Sequence, residues 1–471
     1  MTAFDTAIHL AYLASAVCFV LGLHQMNTPA TARRGNQVSA AGMAAALAVT
    51  AVVLVHDHII TGVAVTVLAV GLAVGAVAGL ITAQRVRMTS MPQLVSLFNA
   101  VGGGAAALIA VGDALHHPDL GTLPLHITLT TVLDLFIGAL TFTGSLVAAG
   151  KLAGRIPGRP LTIRGARAVN LGLVALAITA GGVYVSGRGG ILMLSAVTIA
   201  ALVLGVVLTL PIGGADMPVV ISLLNAFTGT AVAMAGFVID SSPLIIAGAL
   251  VGAAGTILTK LMADAMNRPL VSIIAGGFGT GDEQHPHSAL ASTGTVREIA
   301  IDDAALQLAY ASKVIIVPGY GLAAAQAQHE LVALVQALTE HGVEVSYAIH
   351  PVAGRMPGHM NVLLAEANAP YPQLKDLEEV NPEFARTDVA LVVGANDVTN
   401  PAARRAGNPV SGMPILDVDH ARSVIVIKRS LGHGYAGIDN ELYTDPKTAM
   451  LFSDAKAGLA ALVAGVHAYV A

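Results

Sequence analysis

Val314-Ile-Ile-Val-Pro318-Gly319-Tyr320-Gly321-Leu322-Ala323-Ala324 reads as a strand, a glycine turn and the start of a helix. The spacing is Gly-x-Gly-x-x-Ala. Gly319 permits a tight turn, Gly321 lets the backbone approach a pyrophosphate, and Ala324 lets the helix pack closely. A helix N-terminus there offers unpaired N–H groups and the positive end of a dipole to phosphate oxygens. Around this stretch, Lys313–Pro318, Val343–Ile349, Val389–Val393 and Ser423–Ile427 are short apolar runs bounded by turn residues. Such runs suit buried parallel strands. Residues 321–341, rich in Ala, Leu and Gln, read as an intervening helix. Residues 290–471 are therefore expected to form a doubly wound, Rossmann-like α/β domain.

The choice of dinucleotide follows from charge. A ribose 2′-hydroxyl is usually held by Asp or Glu near the end of the second strand. Here that strand runs into His350-Pro-Val-Ala-Gly-Arg355, with no carboxylate. The strand Ser423–Ile427 instead leads straight into Lys428-Arg429-Ser430, two cations and a hydroxyl suited to a 2′-phosphate. The alternative reading is a solvated basic pair. Asp397, in Gly394-Ala395-Asn396-Asp397, follows another strand at the edge where ligands bind, although it could equally cap a helix.

The rest of the chain has a different solvent. Of 471 residues, 55% are apolar and only 11% charged, too few for a wholly water-soluble protein. Basic and acidic residues number 12 and 8 through Pro269, and 12 and 21 after it, which together give the net charge of −5. Nine apolar stretches are long enough to cross a bilayer, at 5–23, 37–55, 59–82, 92–112, 124–149, 166–185, 190–210, 218–238 and 243–263. Residues 1–263 thus form a polytopic helical bundle, and the Gly-rich stretch 264–289 a linker. The single cysteine, Cys18, excludes a disulfide framework.

Arg33, Arg34, Arg85, Arg87, Lys151, Arg155, Arg159, Arg164, Arg167, Lys260 and Arg268 collect on one side of the bundle, and only Arg188 falls on the other. By the positive-inside rule the N-terminus lies outside, and the domain after Arg268 is cytoplasmic. The first stretch has no basic leader and contains Asp5, so it reads as a permanent span.

Met91-Pro-Gln-Leu-Val-Ser-Leu-Phe-Asn99-Ala100 echoes Met217-Pro-Val-Val-Ile-Ser-Leu-Leu-Asn225-Ala226, with six of ten positions identical. Each places an asparagine about two turns into lipid, where a polar side chain either staples helices or serves a pathway. Asp134 is a carboxylate within an otherwise apolar span. His56-Asp-His58 and His116-His117 lack the ligand count of a closed zinc site, so no metal is expected.

Together, Pro318–Gln328, His350–Glu366, Gly394–Asp397, Lys428–Ser430, Gly434–Gly437, Ala215–Asn225 and Ala275–Gly279 resemble the beta subunit of proton-translocating NAD(P) transhydrogenase, over essentially the whole chain. The resemblance implies a bacterial inner-membrane enzyme with NADP(H) on this chain and NAD(H) on an alpha subunit of one or two chains. It also implies a dimer of alpha–beta units in membrane lipid, without nucleic acid. Hydride transfer between the nicotinamides would be coupled to inward proton movement.

The resemblance implies that Gly319, Tyr320, Gly321, Leu322, Ala323 and Ala324 form the pyrophosphate turn, and that Lys428, Arg429 and Ser430 form the 2′-phosphate site. Arg355, Met356, Pro357, Gly358 and His359 would line the nucleotide, together with Gly394, Ala395 and Asn396. Gly434, Tyr435, Ala436 and Gly437 would belong to a loop closing over it, and Asp397 is the candidate catalytic residue. Asn99 stands where the family often carries a membrane histidine, and an amide cannot titrate. Asn99, Asp134 and Asn225 are the candidates for the proton path. A competing reading is a transporter or channel gated by an NADP-sensing cytoplasmic domain.

Overall fold

The computed structural model describes residues 3–26, 28–56, 61–87, 90–117, 123–157, 161, 165–213, 216–266, 270, 295–354, 358–408, 410–434 and 436–470. They fall into two compact units, one holding the long apolar helices and the other a parallel sheet. Most of the expected linker lies outside the described residues.

Nine helices long and apolar enough to span a membrane lie among the described residues. They are α1 (Ala3–Gln25), α2 (Pro29–His56), α3 (Gly62–Arg85), α4 (Met91–His116), α5 (Leu125–Leu152), α6 (Ala166–Val185), α7 (Gly190–Thr209), α8 (Met217–Val238) and α9 (Ser242–Ala265). In lipid a helix satisfies its own backbone and can expose apolar side chains on every face. α2 starts well before the expected residue 37. Its polar first turns pack on α1, where a methyl added at Gly35 would lie 2.6 Å from the Gly22 carbonyl oxygen.

α5 is the centre of this unit, packed on α4, α6, α7 and α8. Small residues set its approach to α4: a methyl on Gly138 would fall 2.6 Å from the Gly103 carbonyl oxygen. Lys151, near the end of α5, is buried and donates to the carbonyls of Leu210 and, at 2.7 Å, of Ile212. It therefore closes the C-terminal end of α7, where a cation suits the negative end of the helix dipole.

The second unit contains α10 (Ile301–Ala309), β1 (Lys313–Pro318), α11 (Tyr320–Ala325), α12 (Gln328–Glu340), β2 (Glu344–Ile349) and α13 (His359–Glu366). β3 (Leu374–Asp376), α14 (Leu377–Val380), β4 (Val389–Val393), β5 (Ser423–Lys428), β6 (Thr448–Phe452) and α15 (Ala455–Val470) follow. The strand order is β3-β2-β1-β4-β5-β6 and every pairing is parallel. α10 and α12 pack on α15. Phe384, Leu416, Val418, Leu442 and Tyr443 join strand side chains in a separate core cluster. Chain order reverses between β1 and β4, so the connections leaving these strands diverge and open a crevice at their carboxyl ends.

The structure corrects the expected helix over 321–341. Gln326 takes the left-handed conformation at φ 52°, and its N–H bonds the Ala323 carbonyl at 3.1 Å, ending α11. The chain re-enters a helix at Gln328. β3 and β6 are further strands that apolar patterning does not reveal. β3 is only three residues long, and β6 is Thr-Ala-Met-Leu-Phe, with a single β-branched residue.

Candidate functional site

The turns after β1 and β4 interlock. Gly319 N–H bonds the Val393 carbonyl at 2.9 Å, and Gly321 N–H bonds the Gly394 carbonyl at 2.9 Å. A methyl on Gly319 would strike the backbone of Gly394 and Ala395, and one on Gly321 would sit 2.7 Å from Gly394 Cα. Gly394 has φ +65°, which strains any residue carrying a Cβ. The approach that requires Gly321 is thus that of the neighbouring turn. Of the small residues expected to seat the helix, Ala323 is buried with Leu322, while Ala324 is exposed. Successive helical residues turn by about 100°, so only one of the adjacent alanines can face the sheet.

The loop after β2 folds back on the same edge. His350 is buried and its Nε2 lies 2.7 Å from the Pro414 carbonyl, while its Nδ1 accepts the Val352 N–H at 3.2 Å. These contacts fix the neutral tautomer with its proton on Nε2. Burial lowers its pKa to about 4, against the opposing pull of the Pro414 carbonyl and Glu378. Gly354, at φ +109°, lies against His359, and a methyl there would come 2.7 Å from His359 Cβ. The His359 ring is tilted towards Tyr320 at 6.4 Å between centroids, so the β1 turn and the β2 loop meet. Gly358, at φ +67°, precedes α13. Arg355, Met356 and Pro357 lie outside the described residues, as does Tyr435.

Beyond β4 and β5 a polar cluster forms. Lys428 donates to the Gly432 carbonyl and sits 4.8 Å above the centre of the Tyr443 ring. In the amide orientation that satisfies its neighbours, Asn396 accepts from Lys428 Nζ at 3.1 Å and from Gly434 N–H at 2.7 Å. Asp397 accepts the Ala436 N–H at 3.1 Å, and a methyl on Gly434 would collide with its carboxylate. Gly434 and Ala436 are therefore seated on Asn396 and Asp397. Burial lowers the Lys428 pKa, and the nearby negative charge of Asp397 opposes that shift. Tyr443 donates to the Ala395 carbonyl at 3.2 Å, and Asn440 donates to the Asn396 carbonyl at 2.9 Å.

The structure thus brings together Gly319, Tyr320, Gly321, His359, Gly394 and Ala395 at one edge, with Asn396, Asp397, Lys428, Gly434 and Ala436 beside them. Arg429 and Ser430 are exposed, and among the described residues Ser430 Oγ accepts a long 3.4 Å bond from Gly432 N–H. These residues fit a dinucleotide bearing a 2′-phosphate: the exposed guanidinium and hydroxyl have donors to offer at the carboxyl edge. Sequence patterning missed Tyr443, Asn440 and the His350 pin. A tyrosine in a chain with 4% aromatic residues was the available signal for the first.

In the membrane unit, Asn99 is buried and its Nδ2 donates to the Ile221 carbonyl of α8 at 3.2 Å. The Thr228 hydroxyl of α8 lies 3.2 Å from the Asn99 carbonyl but 2.9 Å from the Leu224 carbonyl of its own helix, so the Asn99 amide is what stitches the two echoing helices together. Asn225, one turn beyond Ile221, is half-buried. Asp134 is completely buried.

Residues 8–465 match the family described as NAD(P) transhydrogenase beta subunit. The chain is also 46% identical over 453 residues to the NAD(P) transhydrogenase subunit beta of Rhodospirillum rubrum, covering 95% of this chain and 96% of that protein. The subunit from a named strain of the same species matches at the same identity and coverage.

Proposed function

The chain belongs to the NAD(P) transhydrogenase beta subunit family, and on that premise we propose that it holds NADP(H) and exchanges hydride with NAD(H) on an alpha subunit. The observation that carries the assignment of NADP is the exposed Arg429 beside Lys428 at the end of β5, with His350 rather than a carboxylate at the end of β2. A 2′-phosphate needs cations, whereas a bare ribose hydroxyl is held by an acid. Only one glycine fingerprint was read in the sequence, so the second nucleotide is assigned to the partner.

Each residue then has a physical task. The Gly319–Ala324 turn receives the pyrophosphate, with the Gly319 and Gly321 N–H groups shaping the turn through the Val393 and Gly394 carbonyls rather than donating to the ligand. Arg429 and Ser430 bind the 2′-phosphate, and Lys428 adds charge while tying its loop to Asn396. Arg355, Met356, Pro357, Gly358 and His359 line the nucleotide, and Gly434–Gly437 cover it. Asp397 holds that cover through the Ala436 N–H and helps keep Lys428 protonated. The nicotinamide, when bound, carries the hydride, so the protein supplies position, charge and exclusion of water.

Proton translocation is assigned to the bundle, with Asn99, Asp134 and Asn225 as candidate residues. It acts by changing how tightly the two redox forms of the nucleotide are held. The basic residues put the nucleotide domain in the cytoplasm of a bacterial cell and the N-terminus outside. The working unit is a dimer of alpha–beta units. The test is to reconstitute the chain with its alpha subunit in vesicles and follow hydride transfer from NADH to an NADP analogue together with the internal pH. Ion movement on NADP binding without hydride transfer would replace this reading by the gated transporter.

A further inference from the structure

Asp134 is 0% exposed on α5, and neither carboxyl oxygen has a hydrogen-bond partner among the described residues. The hydroxyls one turn before it on the same helix are already committed: Thr130 donates to the His126 carbonyl at 2.7 Å, and Thr131 to the Ile127 carbonyl at 2.8 Å. A hydroxyl has one hydrogen to give, so neither can also donate to Asp134. An unpartnered carboxyl in an apolar bundle is a liability for stability, and such groups mark pathways.

A route to this group can be followed through the helix register. A methyl on Gly103 would lie 3.0 Å from Thr141 Cβ, and one on Gly138 would lie 3.0 Å from Ala107 N, so α4 and α5 run antiparallel. Asp134, one turn before Gly138, therefore falls opposite the turn of α4 that follows Ala107. Asp113 stands about one turn further, roughly 5 Å along the axis, and continues the buried stripe of Ala106 and Ala110. Its side chain is only 15% exposed, and its Oδ1 lies 3.2 Å from Nδ1 of His117, which is 54% exposed. Tyr184 of α6 is buried. Gly181, one turn before Tyr184, meets Val132 of α5: a methyl there would lie 2.7 Å from Val132 Cγ1.

Few other charges share this environment. α7 and α8 carry no titratable residue. The remaining groups on α4 and α6, His116 and Arg167, are exposed, as is His126 of α5. Lys151 is occupied by the carbonyls of Leu210 and Ile212 at the opposite end of α5.

We propose that Asp134 is the group that takes up and releases the translocated proton, and that Asp113 and His117 connect it to water at the C-terminal end of α4. The proposal rests on the reading of this chain as a proton-coupled transhydrogenase subunit. The transferred species is a proton alone: an O–H bond forms on Asp134 as one on Asp113 breaks, and no electron moves. Asn99 is a staple between α4 and α8, its amide donor already engaged by Ile221.

The test uses the complete complex in vesicles, with Asp134→Leu, Asp134→Asn, Asp134→Glu and Asp113→Asn. Four quantities are measured: assembly, NADP binding, protons moved per hydride, and the infrared carbonyl stretch of a protonated carboxyl group. Both D134L and D134N should assemble as well as wild type, because neither breaks a hydrogen bond and an unpartnered buried carboxyl is a cost rather than a stabilising contact. They should also lose the carboxyl band and pump at least about ten-fold fewer protons per hydride. D134E should regain both, and D113N should keep the band but pump more slowly. Wild-type coupling in D134L, an unchanged carboxyl band in D134N, or failure of both variants to assemble would overturn the proposal. A wild-type complex that passes no hydride would refute the underlying function, while the carboxyl band would still judge Asp134.

Discussion

Arg429→Ala is the substitution that separates recognition of a 2′-phosphate from maintenance of the fold. Arg429 is exposed at the end of β5 and forms no side-chain hydrogen bond or ion pair among the described residues, so its removal breaks no polar contact within them. The loss therefore falls on the ligand. A charge-assisted hydrogen bond is worth about 1.5–3 kcal/mol, which at RT of about 0.6 kcal/mol is roughly a ten- to 150-fold loss of NADP affinity. NAD lacks the phosphate and should change by no more than about two-fold. Lys428→Ala is the contrasting case, since Lys428 also holds the Gly432 carbonyl and Asn396. It should weaken NADP more than R429A does, and it should disturb NAD as well, through the loosened loop. Equilibrium titration of both nucleotides against the purified chain at one fixed salt concentration measures this. Equal losses for the two nucleotides in R429A, or no loss of NADP affinity, would refute the assignment of a 2′-phosphate to this cation.

Three further outcomes are expected. Gly394→Ala places a Cβ at φ +65° against the Gly321 backbone, and should destabilise the sheet unit by about 2–4 kcal/mol, a fall of roughly 5–15 °C in Tm by calorimetry. His350, with its pKa lowered from 6.5 to about 4, should contribute stability that is complete above pH 6.5. That stability is lost as the pH falls towards 4, about 3 kcal/mol in all, because the unfolded chain takes up a proton there and the folded one does not. Denaturant titration across that window should show a shallower slope in His350→Gln than in wild type. Asp397→Asn should lower the Lys428 pKa further, since Asp397 opposes the effect of burial; the loss of NADP affinity with rising pH, followed by titration, should move to lower pH.

The sequence alone determined the division of the chain and the class of each part. A scarcity of charge with nine long apolar stretches leaves lipid as the solvent of the first part, because a folded surface in water needs polar coverage. Four Val- and Ile-rich runs and the glycine turn after the first of them determined the parallel sheet, because a strand buried on both faces has no alternation to display. Gly319 was legible because the tight turn after β1 demands a residue without a Cβ, and Lys428 and Arg429 were expected at the end of β5 because a 2′-phosphate, as proposed, demands cations there. β3 and β6 were not, since their pairing is secured by neighbouring strands rather than by their own composition.

Tertiary structure decided what local pattern cannot encode. Gly321 is required by the turn after β4, a partner 73 residues away in sequence. Of two adjacent alanines, helix phase alone selects Ala323 over Ala324 for burial. His350 and Tyr443 acquire their roles only from carbonyls, at Pro414 and Ala395, that the fold carries to them. Asp134 could be read as an acid in an apolar span, but that its neighbours' hydroxyls are already spent is visible only in the packed bundle. Hydrogen-bond satisfaction depends on the directions of groups from distant parts of the chain, and direction is fixed when helices and strands dock.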